Sequence, residues 1–284
     1  MKHKVIFCVV LLLIAIIAVK YRPARMILTE VDYRYLGGSV FKLVGRDNGS
    51  IQSDIDLYKV NIDKANYEWL SDDDIMIAHG LGGSDNLINT QAAFESSLKA
   101  GFRYFEVDVV LHNNELFCSH SLAEIKHDER CKFESIISMA ESHKVWFILD
   151  VKSKFDITYK KITEELQASP SHVGHQFIPQ IYLFNQIKYL DLTLFSGPIF
   201  TGYRINQHGG FLQEIASNLR LPVMALPPIK LSTSSTGFKV RLFSHNINSL
   251  QEYKKLKHMG VTGFYIRERL YHEIQRNRSV DVGQ

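Results

Sequence analysis

Two acidic residues, Glu106 and Asp108, stand two positions apart in a run that is otherwise apolar and aromatic. Residues two apart in a β-strand point to the same face, so both carboxylates are expected on one side of a strand. Like charges on a buried face repel each other and lose their hydration, and a bound divalent cation removes that cost. Because the neighbouring residues are apolar, we favour this interpretation over a solvated strand edge.

Asp150 offers a third oxygen ligand at the end of another apolar run, and Lys152 follows two positions later on the same face. Carboxylate oxygens are the ligands that Mg²⁺ and Ca²⁺ prefer in proteins. The sequence therefore predicts a divalent cation, Mg²⁺ or Ca²⁺, bound by Glu106, Asp108 and Asp150. Lys152 is expected to hold a phosphate oxygen as a point charge.

The chain has 12 histidines, most of which must be bystanders. His79 and His120 differ from the rest because each is expected near the same strand ends as the acidic residues. Two imidazoles beside a bound phosphate suit proton transfer, since one can deprotonate the attacking group while the other protonates the departing oxygen. Gln180, Tyr182 and His245, on further strands, are candidate substrate-binding residues.

From residue 71 onward, short runs rich in Val, Ile, Phe and Tyr alternate with amphipathic stretches. The runs predict strands at Ile75–His79, Tyr104–Leu111, Val145–Lys152, Phe177–Leu183, Pro198–Tyr203, Pro222–Leu226, Val240–Asn246 and Gly263–Ile266. The stretches predict helices at Thr90–Ala100, Phe133–Ser142, Ile157–Ala168, Gln186–Leu190, Phe211–Leu219 and Leu250–Met259. An additional strand is expected at Glu115–His120, returning after the turn at Asn113 and Asn114.

This strand–helix alternation is typical of an α/β protein with a parallel sheet. Eight units in about 200 residues fit a closed TIM (β/α)8 barrel better than an open doubly wound sheet. The chain also lacks the GxGxxG and Walker loops of nucleotide-binding open sheets. Active sites of TIM barrels lie where strands end at the C-terminal face, which is where the candidate residues are expected.

An uninterrupted apolar run covers residues 5–19, with basic residues on both sides. As a helix it would extend about 22 Å, short of the hydrocarbon core of about 30 Å, although lysine snorkelling can cover the difference. We favour an uncleaved membrane-anchor helix over a cleaved signal peptide, because no small-residue cleavage site follows. The predicted division is an anchor with its basic flank (1–25), a juxtamembrane segment packing on the barrel (26–70) and the barrel (71–284).

The charge is nearly balanced, with 33 basic and 30 acidic residues, and this does not favour a nucleic-acid partner. Of three cysteines, Cys8 lies in the apolar run, while Cys118 and Cys131 either pair in an oxidising compartment or remain free thiols. We expect a single-pass membrane protein whose barrel lies in the periplasm or another extracytoplasmic space. Nothing in the sequence predicts an oligomeric state.

Seven short segments stand in this order along the chain: Ile77–Gly80, Asn89–Phe94, Gly101, Phe105–Asp108, His120, Leu149–Lys152 and Val261–Phe264. Their residues and their order resemble the signature of the glycerophosphodiester phosphodiesterase family, which is related to the phosphatidylinositol-phospholipase C-like phosphodiesterases. The resemblance implies a TIM barrel, a divalent metal and cleavage of glycerophosphodiesters or lipid-derived phosphodiesters. It also implies that His79 and His120 are the acid–base pair. Glu106, Asp108 and Asp150 would be the metal ligands, and Lys152 would contact the phosphate.

The chain departs from the family pattern at Gly80, Ile88, Ser121 and Ile266–Arg267, where the family has Arg, Glu, Asp and Thr-Asp. Without those residues the arrangement also resembles sphingomyelinase D-like phospholipases, in which a substrate hydroxyl can attack the phosphate. The losses leave two alternatives: a catalytically inactive barrel that serves as a membrane-tethered binding protein, or an unrelated barrel enzyme. We expect a metal-dependent phosphodiesterase that acts on a small-molecule or lipid phosphodiester.

Overall fold

A computed structural model describes residues 65–83, 87–126, 131–203, 221–231 and 240–281, together with residues 62, 212 and 216. Its strands are β1 (Ile75–Ala78), β2 (Tyr104–His112), β3 (Glu115–Cys118), β4 (Trp146–Val151), β5 (Phe177–Ile181), β6 (Ile199–Thr201), β7 (Val223–Leu226), β8 (Arg241–Ser244) and β9 (Val261–Ile266). Its α-helices are α1 (Gln91–Ala100), α2 (Phe133–Ser142), α3 (Phe155–Gln167), α4 (Leu250–His258) and α5 (Glu268–Asp281). Short 3₁₀ helices cover Glu68–Ser71, His79–Gly82, Glu124–Lys126, Gly174–Gln176, Phe184–Tyr189 and Pro228–Lys230.

Eight of the strands form a closed parallel barrel in the order β1, β2, β4, β5, β6, β7, β8, β9. The barrel closes because β1 pairs with β2 on one side and with β9 on the other. Strand β3 pairs antiparallel with the end of β2 that extends beyond the barrel. The predicted TIM barrel and its eight strands are confirmed, with strand ends shifted by at most two residues, and so is the additional returning strand.

Two apolar layers explain why these residues form a barrel. Alternate strand residues fill the interior, including Ile77, Ile148 and Phe243, while their neighbours pack outward against the helices. Burial of apolar surface on both faces is what a parallel sheet between helices requires. Thr90 caps the start of helix α1, and its Oγ1 accepts a hydrogen bond from the Ala93 amide at 3.1 Å.

The helix predictions need two corrections. Residues 186–189 of the predicted helix Gln186–Leu190 belong to the 3₁₀ helix Phe184–Tyr189, whose start is fixed by Gln186 Oε1 as it accepts hydrogen bonds from the Tyr182 and Leu183 amides. Helix α5 was not predicted because its buried apolar residues are few, with Leu270 and Ile274 forming a narrow stripe. The predicted helix Phe211–Leu219 lies outside the described residues except for two positions.

The amino-terminal end of the barrel is closed by the segment that precedes β1. Trp69 is fully buried there, and its Nε1 donates a hydrogen bond to the Gly197 carbonyl at 3.2 Å. The Arg241 guanidinium donates to the carbonyls of Leu70, Asp72 and Asp73. These contacts tie the segment to β8 and β6 and fill the interior from below.

The predicted anchor helix, and the juxtamembrane segment apart from residues 62 and 65–70, lie outside the described residues. Within the described part of the chain, no helix combines the length and the apolar character needed to cross a bilayer. The division into an anchor, a juxtamembrane segment and a barrel stays a prediction.

Candidate active site

Three buried carboxylates meet inside the C-terminal end of the barrel. Glu106 and Asp108 lie on β2, and Asp150 lies directly opposite Asp108 on the paired strand β4. One oxygen from each lies within 4.8 Å of the others, and the residues are only 1–5% exposed. The predicted ligand set is therefore brought together in a geometry that could hold a metal ion.

Neutral donors hold the two carboxylates of β2. The Gly80 amide donates to Glu106 Oε2 at 2.7 Å, and Asn89 Nδ2 donates to Asp108 Oδ2 at 2.8 Å. The Asp108 amide in turn donates to Asn89 Oδ1 at 3.1 Å, so one side chain fixes both the backbone and the carboxylate. Asn89 was missed as a site residue, although it stands in one of the motif segments.

A hydroxyl and an ammonium hold Asp150. Tyr182 donates its hydroxyl proton to this carboxylate, with oxygens 2.7 and 2.8 Å away, and Gln180 Nε2 donates to the Tyr182 oxygen at 3.0 Å. Lys152 Nζ lies 2.6 Å from Asp150 Oδ2 and 3.0 Å from Asp108 Oδ1. Gln180 is fully buried behind Tyr182, where it orients the tyrosine and does not line the cavity described below.

The pKa shifts in the cluster show that burying its charged groups is unfavourable. Burial raises the pKa of Glu106 well above its usual value, and the charges of Asp108 and Asp150 add to this. Burial likewise raises the pKa of Asp150. Burial would also raise the pKa of Asp108, but hydrogen bonds and the charge of Lys152 hold it below its usual value. Lys152 itself has a raised pKa, because the carboxylates outweigh its loss of hydration.

The two predicted catalytic histidines each lie beside a different carboxylate of β2. His79 directly follows β1, and its Nε2 lies 3.8 Å from Glu106 Oε2. His120 follows β3, with Nδ1 3.4 Å from Asp108 Oδ2 and a side chain that is 59% exposed. Burial lowers the pKa of His79 to about 4, whereas the hydrogen bond with Asp108 raises the pKa of His120. The pKa values of the two imidazoles are thus shifted in opposite directions.

The turn after β1 depends on backbone conformations that favour glycine. Gly80, Leu81 and Gly82 have φ values of 60°, 62° and 90°, all in the left-handed region. This conformation directs the Gly80 amide at Glu106, and a Cβ on Gly82 would lie 2.0 Å from Ser97 Oγ. The glycines therefore allow the loop to pass close to α1 while it supports the site.

A disulfide between Cys118 and Cys131 fixes the loop that carries His120. The bond joins the end of β3 to the residues just before α2, with a Cα–Cα distance of 5.2 Å. The Cys118 amide also donates to the Cys131 carbonyl at 2.8 Å, and the Ser119 amide donates to the Asp108 carbonyl at 2.9 Å. Of the two states the sequence left open, the paired one is present.

A cavity of about 320 Å³ opens at this end of the barrel. It is lined by the predicted residues His79, Asp108, His120, Asp150, Lys152, Tyr182 and His245, and by Tyr203, Asn246 and Arg267, which sequence reasoning missed. Larger surface depressions lie away from the three carboxylates, so the smaller cavity is the one with chemistry.

The wall opposite the carboxylates carries His245 and Arg267. The His245 ring stacks on Tyr265 with a centroid distance of 3.4 Å, and its Nε2 has no hydrogen-bond partner among the described residues. Burial lowers its pKa well below the usual value. Arg267 follows β9, and its Nη1 donates to the Gly83 carbonyl at 2.9 Å. Its position after a strand end was the signal that could have identified it.

No known family model matches the chain, and no curated protein is similar to it in sequence. Solved structures are similar. A putative glycerophosphodiester phosphodiesterase from Galdieria sulphuraria is 12% identical with a TM-score of 0.59, covering 71% of this chain and 97% of its own. A glycerophosphodiester phosphodiesterase from Parabacteroides distasonis is 13% identical with a TM-score of 0.58, covering 73% and 99%.

A third structure is a phosphodiesterase from Oleispira antarctica in complex with the product sn-glycerol-3-phosphate. It is 16% identical with a TM-score of 0.56, and the match covers 71% of this chain and 95% of that one. The barrel has the glycerophosphodiester phosphodiesterase fold. At these identities the likeness establishes the fold, and the chemistry must be argued from the residues of this chain.

The residues of this phosphodiesterase-like barrel fit a divalent cation by charge and by ligand type. Burial and the neighbouring carboxylates raise the pKa values of Glu106 and Asp150, although the ammonium of Lys152 lies beside Asp108 and Asp150. The ionised carboxylates therefore lack sufficient positive charge. A divalent cation supplies such charge, and oxygen ligands suit a hard cation. Lys152 lies between Asp108 and Asp150, so binding of a cation would require its Nζ to make room.

Proposed function

We propose that this chain is a divergent glycerophosphodiester phosphodiesterase-like enzyme, a metal-dependent phosphoric diester hydrolase. The observation that carries the proposal is the buried cluster of Glu106, Asp108 and Asp150 between two histidines at the C-terminal mouth of the barrel. Such a cluster of like charges is unfavourable for folding, because burial opposes each charge. It is explained when a bound cation and an anionic substrate use it.

Glu106, Asp108 and Asp150 would hold the cation, for which Mg²⁺ and Ca²⁺ are the candidates. When bound, the cation supplies positive charge that stabilises the phosphoryl oxygens as negative charge develops on them. The carboxylates are held in place by Gly80, Asn89 and Tyr182 through hydrogen bonds of 2.7–2.8 Å. Their arrangement is therefore largely formed before the cation enters.

His79 and His120 would transfer the protons. The attacking oxygen, from water or from a hydroxyl of the substrate, forms a bond to phosphorus while the bond from phosphorus to the departing alcohol oxygen breaks. One imidazole takes the proton of the attacking oxygen, and the other gives a proton to the departing oxygen. Each ring lies beside a different carboxylate, so the two rings can serve the attacking and the departing oxygen separately.

Cations on both walls of the cavity would contact the phosphate. Lys152 lies on the carboxylate wall and Arg267 on the opposite wall, beside the loop that carries His79. The arginine thus supplies a planar donor group in a barrel whose first loop has Gly80 where the resembled family has arginine. Tyr182 and His245 would contact neighbouring polar groups of the substrate. We propose glycerophosphodiesters or lipid-derived phosphodiesters as the substrates.

We further propose that the chain is membrane-bound through residues 5–19, with the barrel in an extracytoplasmic space. The disulfide between Cys118 and Cys131 supports this placement, because such bonds persist in oxidising compartments. The uninterrupted apolar run supports the anchor.

The test is turnover of the purified full chain with an aryl phosphodiester, a set of glycerophosphodiesters and a set of lysophospholipids. Each is assayed with Mg²⁺, with Ca²⁺ and with EDTA. We expect activity that requires a divalent cation and is lost in Glu106→Gln, while Glu115→Gln, a matched change on exposed β3, retains it. Absence of turnover in every condition, in protein whose barrel is folded, would contradict the proposal and favour a binding protein.

A further inference from the structure

Six large hydrophobic side chains are 39–56% exposed in the described part of the chain. All six follow the carboxyl end of a strand, on five separate connections. They are Leu87, Leu122, Ile157, Leu183, Tyr189 and Ile229, called the mouth ring below. Isolated exposed hydrophobic residues are ordinary, but a set that follows strand ends on five connections is less so. Two of the six, Ile157 and Tyr189, line a groove that extends along α3 to Gln167.

The opposite end of the barrel differs. The described connections that enter the strands from below carry exposed polar residues such as Glu141, Lys144 and His175, and none of the mouth-ring residues. At that end Trp69 is fully buried, and Trp146 is partly buried against Tyr104. The apolar surface is thus concentrated where the cavity opens.

Three residues of the mouth ring are close in the chain to residues that line the cavity. Leu183 follows Tyr182, and Leu87 precedes Ile88; Tyr182 and Ile88 both line the cavity. Leu122 lies two residues after His120, on the loop tied by the disulfide. A surface that contacts Leu87, Leu122 and Leu183 therefore lies at the entrance to the site.

Basic residues accompany the apolar ones. Lys154 and Lys188 are exposed on two of the same connections, and Lys188 Nζ lies 4.9 Å from the centre of the Tyr189 ring. Exposed Lys and Tyr beside aliphatic residues are typical of protein surfaces at the headgroup level of a membrane, where lysine also contacts anionic lipids.

We propose that the mouth ring docks the barrel on a lipid bilayer that contains anionic headgroups. Leu87, Leu122, Leu183 and Ile229 follow the ends of four different strands, while Ile157 and Tyr189 line a groove beside α3. Apolar side chains spread over several connections fit a broad fluid surface better than a peptide. The apolar run at residues 5–19 would keep the barrel near such a surface. This inference rests on the proposed function. The substrate then enters from the headgroup layer and is a phosphodiester of a lipid.

The docking is tested in the full chain, independently of catalysis. With Cys8→Ser, and with Cys118 and Cys131 paired, a cysteine placed at Leu122 or at Ile229 is the single free thiol for an environment-sensitive fluorophore such as NBD. Lys144→Cys, exposed at the opposite end, is the control. The labelled proteins are reconstituted in phosphatidylcholine vesicles with and without phosphatidylserine.

We expect a shift of emission to shorter wavelength, and quenching by brominated acyl chains, at positions 122 and 229. Position 144 should show neither effect, and the shifts should grow with phosphatidylserine. Equal emission at all three positions would overturn the proposal. A shift at 122 and 229 that grows with protein concentration in detergent, without vesicles, would also overturn it by indicating a second copy as the occupant.

Entry of a lipid substrate from the headgroup layer is tested separately. The variant Leu122→Ser/Ile229→Ser should lose about tenfold or more of its turnover of a bilayer-held lysophospholipid, since it loses two apolar contacts with lipid. Its turnover of a soluble aryl phosphodiester should be unchanged. An equal loss on both substrates, or on neither, would reject entry from the headgroup layer; absence of all turnover, with docking intact, would reject the proposed function alone.

Discussion

The two ends of the barrel are built from the same eight strands and have opposite chemistry. At the amino-terminal end, buried Trp69 packs on apolar strand residues, and its polar atoms and those of its neighbours are paired. At the carboxyl end, three carboxylates, a lysine and two histidines lie in or directly behind one cavity, and burial opposes most of these charges. The first arrangement stabilises the fold, and the second is explained by function. Substitutions at the two ends should therefore separate stability from activity.

The largest expected effect lies at the carboxyl end and on activity. His79→Ala and His120→Ala should each lower kcat about 10²–10⁴-fold, because each removes one proton-transfer group. His175→Ala, an exposed histidine at the other end, is the control. Steady-state kinetics with the aryl phosphodiester measure the effect, and thermal denaturation should show intact folding. Near-normal kcat in either site variant would contradict the roles assigned to both rings.

The largest expected effect on stability lies at the amino-terminal end. Trp69→Ala should destabilise the barrel by about 3–5 kcal/mol, since a fully buried indole is replaced by a cavity. Denaturant unfolding measures the loss. Trp146→Ala should cost less, because Trp146 is only partly buried against Tyr104. The molecules of Trp69→Ala that remain folded should keep wild-type kcat; a specific loss of kcat would show that the two ends are coupled.

A smaller effect should come from the group that orients a metal ligand. Tyr182→Phe removes the hydroxyl that donates to Asp150 and should weaken divalent-cation binding about 10–100-fold. Global stability should change little, because the ring still fills its place. Titration calorimetry gives the affinity, and Tyr189→Phe, on an exposed tyrosine, is the matched control. Unchanged affinity would mean that Asp150 is oriented by other groups.

The smallest expected effect has the opposite sign. Without metal, Glu106→Gln should stabilise the barrel by about 0.5–2 kcal/mol, because burial raises the pKa of Glu106 and a neutral amide avoids the free-energy cost of burying or protonating this carboxylate. Glu115→Gln should leave stability unchanged. Thermal unfolding in EDTA measures both. A destabilised Glu106→Gln protein would show that the cluster contributes to folding without a cation, and would weaken the contrast between the two ends.

The sequence predicted the carboxyl end better than the amino-terminal end, for a physical reason. Strand periodicity places Glu106 and Asp108 on one face, and parallel strands end at one edge, so the main cluster follows from local pattern. Arg267 was missed because only closure of the barrel brings the end of β9 beside the loop after β1. Trp69 was missed because its burial depends on contacts with β6 and β8, far away in the chain.

Asn89 and Gln180 show that sequence patterns also do not predict which side chain contacts which within the site. Asn89 belongs to a recognisable motif, but its bonds to Asp108 arise from a left-handed backbone conformation that the motif does not reveal. Gln180 was expected to contact substrate and instead lies behind Tyr182. Residue type and strand position predicted which side chains gather at the mouth, whereas their order from the cavity inward required the three-dimensional structure.

The most direct test of the central claim is divalent-cation binding by the metal-free full chain in detergent, measured by titration calorimetry. We predict one site for Mg²⁺ or Ca²⁺ in the wild-type protein, strongly weakened in Glu106→Gln, Asp108→Asn and Asp150→Asn, and unchanged in Glu115→Gln. Binding that survives in all three site variants, or no binding by folded wild-type protein, would contradict the claim that the buried carboxylates form a metal site.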